Sequence, residues 1–547
     1  MSVVICYCLT SLGYLMGHSM LNYALPLAFA ISAIVAYFIT TPRRWGLSLL
    51  ISILVWAVSI GLCTYFVDSS CDGNHYHQEQ VTLLFNGWNP FLDPLGPDVS
   101  AVWVNHYAIG IETVGAAIMK LTDNLQSSKA VTLVLAVATV FLACGLFAQV
   151  YPGMKRRQCM VSALLIVCNP IIICQLLRAY IDGLSPQFIA LTALIAVSIV
   201  VRGNSNWVNW LLLALIIIMS VAIKFNAFFL EVVTGACLFI GFWIYGYLRK
   251  SLRLFAVALA VGILAFCVFS YFPYIVNWQL NGHPLYPLMG EGSIDISMFP
   301  DGYEERNRFV NFVASLYTFG RPSLDTMAGG FLPMMMLMFP LSIAVAVVVC
   351  RKSHKFVPEV YAMVCIIVSC FIFKTAHSPR YIPQLWLIVP IAYILCVNYG
   401  MTWLRRSFAL MGLLTGAICA VTTPLGAYRF TLHRNATLDV LRGKEVGLSL
   451  PHPQWVRTLE ENDISYYYVP LDSIPLKNRE SLAEYARNLD GKEEHDFGAL
   501  YVSDEDMAAI QQRLKERNFY KVGVKIRSLL GKNDSIPLYL SPSTLED

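Results

Sequence analysis

Charged residues make up only 14% of this 547-residue chain, whereas 57% of it is hydrophobic. That is far below the quarter of charged side chains usual in water-soluble domains, and it excludes a soluble enzyme. Disulfide chemistry has little support. Most of the fifteen cysteines lie inside apolar runs, among them Cys144, Cys168, Cys267, Cys365 and Cys419, and only Cys71 falls clearly in a loop. They read as small packing residues, with no zinc or redox spacing. The first apolar stretch, Val3 to Met16, lacks a basic leader and an A-x-A cleavage site. It is therefore expected to be a retained helix rather than a secretory signal. No internal repeat or low-complexity segment is evident, which disfavours an inverted-repeat transporter.

What the chain does have is a series of apolar runs about as long as the roughly 17–25 residues a helix needs to cross a bilayer. Thirteen spans are expected, near residues 3–20, 22–40, 47–67, 128–150, 158–177, 186–201, 207–223, 226–247, 252–275, 326–350, 357–374, 381–398 and 407–427. Inside lipid every backbone donor and acceptor must be paired within its own segment, so these runs are read as helices. Basic clusters fall at alternate connections: Arg43 and Arg44; Lys155, Arg156 and Arg157; Arg202; Arg249, Lys250 and Arg253; Arg351, Lys352 and Lys355; Arg405 and Arg406. The positive-inside rule assigns that side to the cytoplasm. The N-terminus is then cytoplasmic and the C-terminal part extracytoplasmic, in what would be a bacterial inner membrane.

The expected organisation is a polytopic all-α membrane domain over residues 1–428, with outer loops at 68–127 and 277–325, followed by a soluble extracytoplasmic α/β domain over 429–547. From Arg429 onward 16 Lys and Arg face 19 Asp and Glu, out of 39 and 35 in the whole chain, so the excess of base belongs to the membrane part. Trp103 to Leu121 is apolar enough to resemble a span, but a span there would break the charge pattern. It is read as an amphipathic helix lying at the membrane interface. In the tail, Ile464–Val469, Ala499–Val502 and Tyr520–Ile526 read as strands. Ser503 with Asp506 reads as the cap of a helix carrying Met507, Ile510 and Leu514 on one face.

The first outer loop carries the densest chemistry. It begins Asp68-Ser-Ser-Cys-Asp72-Gly-Asn-His75-Tyr-His77-Gln-Glu79 and continues to Asn86-Gly-Trp-Asn-Pro90. Acids and histidines so close to a membrane surface sit where a water-poor setting shifts pKa values; a solvated loop with helix-capping acids is the plainer reading. The pair His75 and His77 makes a divalent metal a candidate cofactor, although two ligands do not complete a site. Asp182, in the short loop from Arg178 to Gln187, is a turn residue or a further acid for metal or acceptor. Glu231 lies inside a span seven residues after Lys224, and an internal ion pair would account for both.

An Asp shortly after an early span, then D-x-x-x-Y as Asp72-Gly-Asn-His-Tyr76, then an amphipathic helix and G-W-N-P, resembles the GT-C superfamily of membrane glycosyltransferases. Asn281-Gly-His-Pro-Leu-Tyr-Pro287 and Ser378-Pro-Arg-Tyr-Ile-Pro-Gln384 resemble the N-G-x-P-x-Y-P and R-Y-x-P-Q segments of bacterial members. The resemblance implies an inverting transferase that uses a polyprenyl-phosphate sugar, with Asp72 as catalytic base. Many members carry a second acid beside that Asp. Here the place holds Gly73, and a neighbouring-acid role would fall to Asp68 or Glu79.

Transfer from a polyprenyl phosphate needs a base for the acceptor hydroxyl and a cation for the departing phosphate. Arg380 is the first candidate cation because a guanidinium grips phosphate oxygens in two places. Lys224 and Arg178 are second choices, with Tyr381 beside Arg380 as a substrate contact. Expected partners are the lipid-linked sugar, membrane lipid, and a glycan, lipid or protein acceptor; no nucleic acid is implied. The alternative from another class is a transporter or flippase of lipid-linked glycans, which would need a polar path through the spans.

Overall fold

The computed structural model describes residues 1–70, 72–95, 102–294, 306–316, 331–372, 376, 378–448, 453–469, 500–516 and 539–540. In chain order the helices are α1 (Ser2–Leu15), α2 (Leu21–Ile39), α3 (Pro42–Tyr65), α4 (Gln78–Phe85), α5 (Val102–His106), α6 (Gly110–Thr122), α7 (Ala130–Val150), α8 (Arg156–Val167), α9 (Pro170–Gln175), α10 (Leu184–Val200) and α11 (Trp207–Ile223). There follow α12 (Phe225–Ile244), α13 (Leu248–Leu264), α14 (Tyr271–Asn281), α15 (Arg308–Leu316), α16 (Met334–Ser353), α17 (Pro358–Ser369), α18 (Ile388–Asn398), α19 (Thr402–Leu441), α20 (Pro453–Glu460) and α21 (Asp504–Lys515). Four short strands, β1 (Glu445–Leu448), β2 (Ser465–Tyr468), β3 (Leu500–Tyr501) and β4 (Tyr539–Leu540), form a sheet in the order β2-β1-β3-β4. Strand β1 pairs parallel to β2 and antiparallel to β3. The predicted strand Tyr520–Ile526 lies outside the described residues.

Seven helices among the described residues are long and apolar enough to cross a membrane. Their side chains say the same: α3 leaves Leu47, Leu50, Ile53, Leu54 and Val58 exposed. A stripe that apolar is untenable in water and is what a lipid-facing helix requires. The chain is thus a mostly helical integral membrane protein. Each of the thirteen expected spans falls on a helical stretch, but the remaining ones are shorter. Five are apolar helices of 10–17 residues, and one, residues 158–177, is broken into α8 and α9.

The break has a local cause. Pro170 cannot continue the helix hydrogen-bond ladder, and Asn169 restarts it by accepting the amide of Ile171 at 3.0 Å. Asn169 also donates to the Pro383 carbonyl at 2.9 Å, and Trp386 donates its indole N–H to the Leu165 carbonyl at 2.7 Å, so a backbone group near the break is met by protein rather than lipid. Helix α9 then ends early enough for residues 176–183 to turn back into the bundle. That turn is tight at Gly183, where a Cβ would stand 2.8 Å from Ile172 Cα and 3.1 Å from Gln175 Oε1.

Helix α19, with 40 residues, is about 60 Å long, roughly twice the hydrocarbon thickness of a bilayer. Its C-terminal third therefore projects and carries the α/β unit, whose small core joins Leu441, Val446, Leu448, Leu459, Ile464 and Val502. It runs without interruption through residues 428 and 429.

The segment Trp103 to Leu121, expected as an amphipathic helix at the membrane interface, packs into the protein. It forms α5 and α6, and α6 is buried continuously from Gly110 to Met119 against α1, α2 and α4. Its polar side serves the protein interior, because Glu112 has a buried partner there in His77.

Candidate functional site

Four segments that begin or end at helix breaks converge. The first is the turn after α3, where Asp72 starts a π turn over Gly73–His77 that leads directly into α4. π turns widen a helix and recur at functional positions. The second is the loop between α9 and α10, which brings Asp182. The third is Lys224, held in an extended conformation between α11 and α12. The fourth is the turn before α18, which brings Arg380 and Tyr381.

These residues form one charge cluster. Arg380 donates through Nη2 to Asp72 Oδ2 and through Nε to Asp182 Oδ2, the latter at 2.8 Å. Lys224 Nζ donates to the other oxygen of Asp182 at 2.8 Å, and Gln175 Nε2 reaches Asp182 Oδ2 at 3.3 Å. Tyr76 donates its hydroxyl to Asp72 Oδ2 at 3.1 Å. The Arg380 guanidinium also lies 4.4 Å from the ring centre of Tyr180 and 5.6 Å from that of Tyr381. All four charged groups are more than nine-tenths buried. In such surroundings an unpaired charge costs several kcal/mol, so each group depends on the others.

The electrostatics follow from the pairing. Burial alone would raise the Asp182 carboxyl, but Lys224 and Arg380 outweigh it and hold the group below its ordinary value. Burial would lower Arg380, yet Asp72 and Asp182 hold it well above its ordinary value, so it stays a cation at any working pH. Burial, then the Asp72 charge, pushes the Tyr76 phenol well up. Tyr76 therefore remains a proton donor to Asp72.

The other expected site residues lie in and around the same loop. Asp68 is fully buried and organises the loop: it accepts from Ser70 N at 2.9 Å, Ser70 Oγ at 2.7 Å, Gln78 Nε2 at 3.1 Å and Ala179 N at 3.0 Å. A Cβ on Gly73 would overlap Asp68 Oδ2 and Ser70 Oγ. This explains why no acid sits beside Asp72 in this chain. Glu79 is buried in α4. His77 meets Glu112 at 2.5 Å through Nδ1, and His75 lies in the same π turn, with its side chain outside the described residues. Among the described residues no group of three or more His, Cys, Asp or Glu side chains is arranged to hold a metal ion.

Arg178 stands in the same loop as Asp182, four residues before it. It lines a cavity of about 20 Å³, together with His77, Gln78, Glu112, Ser128 and Lys129. That volume suits a water molecule, not a sugar. Lys129, which sequence reasoning passed over, reaches the Phe66 carbonyl at 2.5 Å and Gln126 Oε1 at 2.8 Å. Glu112 was missed as well, although a lone acid in an apolar stretch was a signal of a buried partner.

No family model and no curated protein matches the sequence. Solved structures that resemble it include one bound to a polyprenyl phosphate. The chain is similar to ArnT from Cupriavidus metallidurans bound to undecaprenyl phosphate, at 12% identity and a TM-score of 0.43, over 77% of this chain and 73% of that one. At that level the likeness says nothing about the reaction, which has to be argued from the residues.

Proposed function

We propose that the protein is a glycosyltransferase that moves a sugar from a polyprenyl-phosphate donor to a hydroxyl-bearing glycan, lipid or protein at the membrane surface, with inversion at the anomeric carbon. The observation that carries this reading is the buried Arg380 guanidinium, held between Asp72 and Asp182 with Lys224 beside it. A cation for the departing phosphate next to an acid that can act as base is what such a transfer needs.

In this mechanism the donor phosphate competes with Asp72 for the guanidinium of Arg380 and takes Lys224 as a second cation. Asp182 stays between the two cations and fixes their spacing. Asp72, released from its ion pair, becomes a stronger base and accepts the proton of the acceptor hydroxyl as that oxygen attacks the anomeric carbon. The bond from that carbon to the phosphate oxygen breaks, and its electron pair leaves on the polyprenyl phosphate. Tyr76, still protonated, steers the Asp72 carboxylate. Tyr381 flanks the guanidinium on the donor side.

The positions of the basic clusters support an orientation. Arg43, Arg157, Arg202, Arg249, Arg351 and Arg405 lie at the ends of their helices remote from the cluster, so the positive-inside rule puts the cluster at the extracytoplasmic face.

The test begins with mass spectrometry of lipid that co-purifies with the protein. Turnover is then measured on a panel of farnesyl phosphates carrying different hexoses and pentoses, with release of farnesyl phosphate as the signal. At least one sugar should turn over, with inverted stereochemistry in the product. Absence of release across a panel that includes the sugar of the co-purified lipid would end the transferase reading.

A further inference from the structure

The π turn that carries Asp72 is held from two sides. Within the loop, the Asn74 side chain donates to the Ser70 carbonyl at 2.7 Å and to the Asp68 carbonyl at 3.2 Å. These bonds fix the backbone on either side of Asp72. The second hold comes from the far end of the sequence: Gln454, on α20 of the C-terminal α/β unit, donates its Nε2 to the Asn74 carbonyl at 2.8 Å. Gln454 is only 3% exposed, so water does not compete for that bond.

Helix α20 is itself fixed in place. Arg434 of α19 donates to Thr458 at 3.0 Å. Arg457 pairs with Asp123 at 2.7 Å and lies 4.5 Å from the ring centre of Phe85, the last residue of α4. Thr431 of α19 accepts the amide of Val67 at 2.9 Å, immediately before Asp68. Helices α19 and α20 thus hold both ends of the Asp68–Phe85 stretch, and Gln454 of α20 reaches the turn between them.

We propose that Gln454 is a positioning residue for Asp72: through the Asn74 carbonyl, the C-terminal unit sets where the carboxylate stands relative to Arg380. The proposal rests on the reading of Asp72 as the base. The Asn74 carbonyl lies two residues after Asp72 in the same turn, so a donor that anchors it also restrains the backbone that carries the carboxylate. Misplacement of a catalytic group by a fraction of an ångström costs roughly tenfold or more in rate.

The experiment compares wild type, Gln454→Leu, Gln454→His and Asp72→Asn as full-length protein, using the farnesyl-phosphate sugar that wild type turns over fastest. Gln454→Leu removes the donor, and Gln454→His returns an N–H at similar reach. We expect Gln454→Leu to lower kcat roughly tenfold, with KM for the donor and the thermal midpoint unchanged, and Gln454→His to recover most of the loss. Hydrogen exchange of the amides from Asp72 to Glu79 should quicken in Gln454→Leu only. Full turnover in Gln454→Leu beside an inactive Asp72→Asn overturns the positioning role and leaves the transferase reading standing. Loss of activity together with a lowered midpoint, unrelieved by Gln454→His, also overturns it, since the contact would then be structural alone. An active Asp72→Asn removes the base assignment, and this proposal with it.

Discussion

At the scale of single residues, the cluster makes every charged group depend on its neighbour. Asp182 accepts from both Arg380 and Lys224, so Asp182→Asn leaves two buried cations short of a counter-charge. It should destabilise the protein by about 3 kcal/mol near neutral pH, read as a lowered unfolding midpoint in detergent. The sign of the pH dependence follows from the lowered carboxyl. Its stabilising effect is complete above the ordinary value of 3.8 and is lost as pH falls through the lowered one. The gap between wild type and Asp182→Asn should therefore close in acid, and a gap that widened there would contradict the pairing. Arg380→Lys keeps a charge but loses the fork that joins Asp72 to Asp182. The expected result is weaker donor binding and a fall in turnover, measured as KM and kcat together.

At this scale much of the site was legible. Asp72, Asp182, Lys224 and Arg380 are charged residues at the ends of apolar runs, and such positions stand out in a chain with so little charge. Their partnership was not legible, because it joins positions 72, 182, 224 and 380 through four separate segments. His77 and Glu112 are similarly separated, and nothing in the H-x-H spacing announces their contact at 2.5 Å. Nothing in the local pattern around Gln454 points toward Asn74.

At the scale of elements, breaks in helices do most of the positioning. The π turn, the Asn169–Pro170 restart and the extended Lys224 each direct a side chain inward that an unbroken helix would have carried elsewhere. Hydropathy registers an apolar run but not a break inside it, which is why residues 158–177 read as one span. Gly73→Ala tests the tightest of these turns. Its Cβ would overlap Asp68 Oδ2 and Ser70 Oγ, so the loop must shift. A cost of about 1–3 kcal/mol is expected, with a larger fall in turnover than in stability because the shift moves Asp72. Wild-type activity in Gly73→Ala would mean that the turn is looser than its contacts indicate.

For the whole molecule, the C-terminal unit and the Asp72 loop share one end of the bundle through α19 and α20, while the basic clusters share the other. Single cysteines introduced at exposed Tyr467 and at Leu92, in a variant lacking the native ones, should label from the same side of sealed vesicles. A cysteine at Arg249 should label only from the opposite side. The helical class and the positions of the apolar runs were readable from hydropathy, since lipid demands both. The burial of α6 was not, because an amphipathic helix reads alike whether its apolar face meets lipid or protein. Strands β2 and β3 fall within the stretches whose pattern suggests them, Ile464–Val469 and Ala499–Val502, but the contact of α20 with the first loop depends on side chains far apart in sequence.

The most direct measurement is single-turnover sugar transfer by purified Asp72→Asn, with binding of the same donor followed in parallel. The account predicts that the donor binds at least as tightly as to wild type, since Arg380 is freed from a competing carboxylate, and that transfer slows by about 10²–10⁴-fold. Transfer at the wild-type rate would contradict it.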